Sequence, residues 1–412
     1  MNAVVISLRL VVSLLVQRIL ALTIGEIGIA KIGQLRNLIQ MITSTSSLGV
    51  FNGIVKYVSE YREENSKLKD LFSTTFVFVF MGSILTSLIL LVSASWITRE
   101  LFGDLEFVNI IRCLALLPII IGIHRVFQGI IHGLSKYKAY AKIELISYML
   151  SVVLLLIFLN FYQLKGVLFS IILVPIVQLG VVVSVFRPTL NKFIKVRWLK
   201  FKIPFFKELL AFTLMSFVST VLLNYIELDI RTTITNKVNI NEAGYWTAMN
   251  FISRNYMAFS SSLFSLYVIP KFARIYSWTS FRIEVTTIYK TLLPLFGLGM
   301  LLIYIFKELV IEIVYPNFLG MELLFKWQLL GDFVRLASLV VSHQFLAKKM
   351  VRSFILTELM SLGLFYVLSK YLVTIYGVEG VVMAHFYRYI IYFWVVLAIV
   401  RNYFINQKNA NY

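Results

Sequence analysis

The chain has 412 residues, 59% of them hydrophobic, with a mean hydropathy of +0.84, which excludes a globular water-soluble protein. Its 39 lysines and arginines against 20 acidic residues give a net charge of +19, but they fall in short connections between apolar runs. There they act as topology signals and contacts for membrane lipid, not for nucleic acid. The single Cys113 excludes an intramolecular disulfide and any multi-cysteine metal site.

Apolar runs of roughly 20 residues, long enough to cross a bilayer as a helix, recur from end to end. The first, about 3–24, contains Arg9 and Arg18 and has no cleavage site of the expected kind, so it reads as a retained span, not a signal peptide. A turn at Gly25–Gly28 leads to span two, about 30–55. Spans three and four follow at 71–93 and 107–130, five and six at 143–160 and 166–186. The stretch Arg187–Lys207 then carries seven basic residues and no acidic one, which in such a chain reads as a cytoplasmic connection. It divides the sequence into an N-terminal six-helix lobe (1–186), a basic linker (187–207) and a C-terminal six-helix lobe (208–412). Spans seven to twelve lie at 208–232, 243–269, 285–306, 321–346, 353–373 and 380–400. The expected fold is therefore an all-α integral membrane protein of about twelve transmembrane helices.

Alternate connections hold the basic residues (56–70, 132–142, 187–207, 270–283, 347–352 and the tail with Arg401 and Lys408). The opposite set holds single cations such as Arg99, Lys165, Lys237, Lys307 and Lys370. The positive-inside rule then places both termini in the cytoplasm. An internal duplication is visible as well. Thr45-Ser46-Ser47-Leu48 with Lys56-Tyr57 reads against Ser260-Ser261-Ser262-Leu263 with Lys271-Phe272. Lys138 with Glu144-Leu145-Ile146-Ser147 reads against Arg352 with Glu358-Leu359-Met360-Ser361, one residue off the same offset. Two parallel six-span repeats follow, related by an axis along the membrane normal.

Charges at bilayer depth cost several kcal/mol unless they face protein or water, so each marks a pathway or a pair. In span two, Arg36, Gln40, Thr43 and Ser47 share one helical face. Span eight repeats the design with Asn250, Arg254, Ser261 and Ser265. Helix packing accounts for the hydroxyls but poorly for the arginines, so the stripes read as a cavity lining. In span seven, Thr220, Asn224, Glu227 and Arg231 share a face; Glu227 and Arg231 are spaced to neutralise one another. Asp229 points elsewhere with no evident local cation. Asp332 and Arg335 in span ten, with Gln328 a turn earlier, read as a structural pair. Arg9 and Arg18 lie on opposite sides of span one, and Arg18, near its outer end, is placed to snorkel. Glu227, Asp229 and Asp332 are the candidate proton carriers, with Asp229 first because it lacks a partner. The four histidines lack metal-ligand spacing, and no phosphate loop or nucleophile elbow occurs, so neither an enzyme nor a cofactor protein is expected. GIIHG at Gly129–Gly133 has the small-residue spacing of close helix packing.

Three stretches, GVFNGIVKYVSEY (Gly49–Tyr61), IPKFARI (Ile269–Ile275) and LFKWQLLGDFVR (Leu324–Arg335), resemble the Wzx-type flippases of Gram-negative bacteria, and the similarity runs over nearly the whole chain. The resemblance implies the multidrug/oligosaccharidyl-lipid/polysaccharide exporter fold in the inner membrane. It also implies an undecaprenyl-diphosphate-linked oligosaccharide as substrate and, in the same pathway, a polymerase and a chain-length regulator as partners. Arg9, Arg18, Arg36 and Arg231 fall where such proteins carry basic residues. Arg254 departs from the family, where an acidic or polar residue is expected, and the chain starts later than the family does. A drug/cation antiporter on the same fold is the alternative; its cavity wants carboxylates, whereas a diphosphate wants arginines. A polymerase or ligase would carry a large periplasmic loop, and none is present.

Overall fold

The structure is a computed structural model and describes residues 2–193, 201–348 and 350–410. Lys195, Arg197 and Lys200 of the basic connection lie outside the described residues, as do the side chains of Ser261 and Ser265 in the span-eight stripe. Every regular element among the described residues is helical. Among the described residues, eight helices are long and apolar enough to cross a membrane, or nine if one bent pair counts as a span.

Helix α1 (Asn2–Ser46) and helix α7 (Tyr137–Phe193) each carry a break. At Gly25 the backbone has φ 61°, and at Gln163 φ 46°. Each arm of these helices is about the length that crosses a bilayer. A left-handed φ costs glycine nothing, which is why the first break sits at Gly25. Span two ends earlier than its hydropathy indicates. Leu48 and Gly49 both adopt positive φ, and the chain restarts as α2 (Phe51–Glu60). After α3 (Asn65–Val92) and α4 (Ala94–Phe102), span four also departs from expectation. It is two helices, α5 (Val108–Leu114) and α6 (Pro118–Gly133), bent by 50°. Pro118 has no N–H to continue the preceding helix and instead starts the next.

The second half contains α8 (Phe206–Ser216), a π-helical turn at Phe217–Leu222 and α9 (Leu223–Lys237). Next come α10 (Ile240–Leu263), a second π turn at Phe264–Val268 and α11 (Ile269–Ala273). The chain closes with α12 (Trp278–Ile305), α13 (Lys307–Val314), α14 (Leu324–Ala347), α15 (Val351–Tyr376) and α16 (Val378–Ala410).

The contacts group the chain into two compact units. One holds Met1–Val16 with Lys31–Leu228, the other Gln17–Ala30 with Asp229–Tyr412. This grouping keeps 208–228 with the first unit and gives the second a segment of α1. In the first unit, α2, α6 and α7 enclose a core that includes Val50, Ile54, Val58, Phe72, Val126, Ile130, Val182 and Phe186. Gly129 and Gly133 make that contact possible: a Cβ at either would lie 3.1 Å from Ile54 or 2.8 Å from Val58. The packing reading of GIIHG therefore holds. In the second unit, α14 packs against α16, and Gly331 lets the Phe386 backbone come within 3.2 Å of where its Cβ would be.

Candidate functional site

The first unit builds its polar centre from α1, α6 and α7. Arg9 Nη1 donates to Glu144 Oε2 at 3.0 Å. The other oxygen of Glu144 accepts from Gln128 Nε2 at 3.3 Å, and Gln128 Oε1 accepts from Arg125 Nη1 at 3.1 Å. Arg125 lies flat over Phe51, 3.9 Å from the ring centroid, while Arg9 lies over Tyr148 at 5.0 Å. Arg36 joins the group from the second arm of α1, its charge reaching the Tyr148 hydroxyl together with that of Arg9. Arg9 thus meets the carboxylate directly, Arg125 reaches it through Gln128, and Arg36 stands near Tyr148 beside them. With all four ionised, the cluster keeps an excess of two positive charges. Such a centre stabilises an anion with several oxygens, because guanidinium groups present paired donors that match phosphate.

Of the expected residues, Arg9 and Arg36 both lie near Tyr148. Gln40 is exposed on the Arg36 face, and Thr43 donates to the Ile39 carbonyl of its own helix. Ser47 does not belong to that lining: it is buried, and its hydroxyl donates to the Thr43 carbonyl at 2.9 Å. The hydroxyls around it serve packing, with Thr86 donating to Thr45 at 3.1 Å and Ser83 to the Ser46 carbonyl at 3.2 Å.

Arg18 does more than snorkel. In the second unit it donates to the Glu312 and Ile313 carbonyls at 2.8 and 2.5 Å, satisfying acceptors that the C-terminal turn of α13 leaves open. Arg231, 2% exposed, donates from Nε to Thr247 Oγ1 at 2.8 Å and lies over Trp246. Glu227, in the first unit, accepts from Asn37 Nδ2 at 3.1 Å. Asn250 has a buried Nδ2 without a partner, and Arg254 is exposed. Asp229 is not without a cation, as its local sequence indicates. Lys370 Nζ, from α15, lies 2.7 Å from its Oδ2; the partner comes from 141 residues downstream, beyond the reach of helical spacing.

Asp332 is the hub of the second unit. It is fully buried, and its Oδ2 accepts from Ser253 Oγ and Tyr256 OH on α10 and from Gln328 Nε2 on α14. Its Oδ1 lies 3.0 Å from His385 Nε2 on α16 and 3.8 Å from Arg335 Nη1. The expected pair with Arg335 is present but is one contact among five. On α15 and α16, Tyr392 OH donates to Glu358 Oε1 at 3.1 Å, and Arg388, 6% exposed, contributes its charge to the same carboxylate.

Periodicity missed Arg125, Gln128 and Glu144 in the first unit, and Tyr256, His385 and Glu358 in the second. One signal was present in the sequence: Glu144 and Glu358 occupy matching places in the duplication.

Residues 32–319 match a family described as polysaccharide biosynthesis protein. The chain is similar to the lipid III flippases of Escherichia coli (strain K12) and Shigella flexneri, each 26% identical over 386 residues, covering 92% of both chains. Among solved structures it is similar to an inward-facing multidrug resistance MATE family transporter of the MOP superfamily. That match has a TM-score of 0.78 and 14% identity, over 96% of this chain and 94% of the other. It is also similar to the lipid II flippase MurJ in an inward closed conformation, with a TM-score of 0.73 and 13% identity over 97% and 87%. At these identities the likeness shows the fold alone, one shared with these transporters.

Proposed function

This chain belongs to the polysaccharide biosynthesis protein family, and from that premise we propose that it is a flippase for an undecaprenyl-diphosphate-linked oligosaccharide. The movement runs from the cytoplasmic to the periplasmic leaflet of the bacterial inner membrane, by alternating access. The lipid III flippases to which it is similar supply the substrate class. The observation that supports it in this chain is the group of Arg9 and Arg125 about Glu144, with Arg36 near Tyr148 beside it. A diphosphate that leaves the headgroup region must keep its charge compensated, and several converging guanidiniums do that where one lysine would not. The antiporter alternative shares the fold, so the fold does not choose between them. The charge does: an organic cation would meet an excess of like charge in this cluster.

The candidate ionisable groups for energy coupling are Asp332 and Asp229 in the second unit and Glu227 in the first. The polymerase and chain-length regulator of the pathway consume the product on the far side and would add a downstream pull. Complementation of a flippase-null strain, with protein level followed by blot, tests the reading. Arg36→Ala should abolish complementation at normal protein level, and Arg36→Lys should recover part of it. Full activity of Arg36→Ala would sink the anion site.

A further inference from the structure

Asp332 is ringed by donors. Its Oδ2 accepts from Ser253, Tyr256 and Gln328, and its Oδ1 faces His385 Nε2 at 3.0 Å and Arg335 Nη1 at 3.8 Å. A proton on either oxygen would turn an acceptor into a donor and displace one of these groups. The ring of donors therefore suits a carboxylate that keeps its charge. Because such a carboxylate only accepts, His385 carries a hydrogen on Nε2, and the neutral ring then keeps its lone pair on Nδ1. Among the described residues no group bonds that nitrogen.

The seat of that imidazole is built by three helices. On α14, a Cβ at Gly331 would fall 2.5 Å from His385 Cδ2, so the glycine beside Asp332 is what lets the ring in. Phe365 of α15 and Tyr389 of α16 meet the ring at steep angles, with centroids 6.2 and 5.0 Å away. The His385 side chain keeps 12% of its surface open, against 0% for Asp332. It lies two turns, about 10 Å, inside the Val378 end of α16, which the positive-inside reading assigns to the periplasm. The charges that reach it are those of Asp332 and Arg335 on α14 and Arg388 on its own helix. Tyr256 of α10 meets it through Asp332, and Glu358 of α15 offsets Arg388. Asp332 and Glu358 against Arg335 and Arg388 sum to zero, so neutral His385 sits in a balanced set. A proton added there becomes the net charge of the set, with Asp332 in hydrogen-bond contact to hold it.

We propose that His385 is the proton-binding residue of the second unit, with Nδ1 as the acceptor atom and Asp332 as its fixed counter-charge. The proton's use in transport rests on the flippase reading; the site itself does not. Within that reading, the proton of the Asp332 hub is carried by the histidine beside it, not by the carboxylate. One proton from water joins the Nδ1 lone pair, and the Nε2–H bond to Asp332 stays. The ring becomes an imidazolium paired with the carboxylate, no other bond breaks, and the reverse step returns the proton to water. Imidazole is the side chain whose ordinary charging falls near neutral pH, so the site loads and unloads where a gradient across a cell membrane can drive it.

Two variants separate proton binding from packing. His385→Gln keeps an Nε2 donor for Asp332 but has no lone-pair nitrogen, so abundance and melting temperature should stay near wild type while complementation of the flippase-null strain is lost. His385→Ala should lose abundance as well. The full chain with isotope-labelled histidine, in nanodiscs, gives the direct reading by nitrogen NMR, the His385 signals being those absent from His385→Gln. They should show hydrogen on Nε2 alone at alkaline pH and on both nitrogens as the pH falls through the imidazole range, about 8 to 5. In vesicles, flipping of an NBD-labelled undecaprenyl diphosphate disaccharide should vary with pH over that range in the wild type and be flat in His385→Gln. Full complementation by His385→Gln, hydrogen on Nδ1 at alkaline pH, or signals that ignore pH would make His385 a packing donor and overturn the proposal. Arg36→Ala should stop the probe and leave the His385 titration in place. If the wild-type chain moves no probe, the flippase reading fails, and the histidine signals still decide the proton site.

Discussion

Glu144 and Glu358 stand at matching places in the two halves, yet they work in opposite surroundings. In the first unit Glu144 is outnumbered, with Arg9 on one oxygen, Gln128 on the other, Arg125 behind Gln128 and Arg36 close by. In the second, Glu358 and Asp332 are matched by Arg335 and Arg388, with Tyr392, Tyr256 and His385 completing the hydrogen bonds. Three arginines face one carboxylate there, and two face two here. Duplication preserved the helical frame and the position of one acid, while the charge around it diverged. A frame alone is indifferent to cargo; an excess of two positive charges in one half is not. The first unit carries the excess positive charge, and the second holds its own charges in balance.

The largest effect should come from breaking the balanced half. Asp332→Ala removes the acceptor shared by five groups on three helices and leaves Arg335 and His385 without it. Removing one partner of a buried pair costs about 3 kcal/mol or more. The variant should therefore fall sharply in membrane abundance and in melting temperature in detergent, and Asp332→Asn, which keeps the shape, should recover part of both. Normal abundance of Asp332→Ala would mean that the hub does not hold α10, α14 and α16 together.

Next comes Arg125→Ala in the unbalanced half. It should leave abundance near normal while cutting transport by roughly tenfold to a hundredfold, the worth of one charge-assisted contact to the cargo. The opposite split, low abundance with normal activity per molecule, would make Arg125 a packing residue on Phe51 and remove it from the anion site.

Much of this frame was legible because hydropathy reports span length directly, and because Gly25 and the Gly129–Gly133 spacing have local physical causes. The misplaced boundaries also have local causes, in the positive φ of Gly49 and the missing N–H of Pro118. The site was less legible. Arg36 could be found because a lone guanidinium in an apolar run is conspicuous. Arg125 lies near a basic connection, where arginines are common for topological reasons, and its partners Gln128 and Glu144 gain meaning only when α6 meets α7. Asp229 shows the same limit from the other side: helical spacing searches one turn, and Lys370 arrives from another helix. Ser47 shares a face with Arg36, but that says nothing about which backbone carbonyl its hydroxyl prefers, and it turns to Thr43.

A finer test exchanges the matched acids. Glu144→Gln removes the only carboxylate from the first cluster, so the cargo should be held longer. Transport should slow about threefold to tenfold, and more lipid-linked glycan should copurify, as one neutralised neighbour of an anion site implies. Glu358→Gln should leave copurified glycan unchanged and lower the melting temperature, because Arg388 then loses its counter-charge. Equal glycan retention in the two variants would erase the distinction between the halves.

The smallest effect is expected at Asp229. Its carboxylate pairs with Lys370 at 2.7 Å, and both side chains keep about a third of their surface open, 27% and 35%. Ion pairs of that exposure contribute about 1 kcal/mol or less. Asp229→Asn and Lys370→Met should each change abundance and complementation little. The double variant should be no worse than the sum of the two, with a coupling within about 1 kcal/mol. A proton carrier would behave otherwise. Asp229→Asn would then stop transport outright at full abundance, and Lys370→Met, which removes the adjacent ammonium, would change transport far more than abundance. That pair of results would move energy coupling from the Asp332 hub to the Asp229–Lys370 pair.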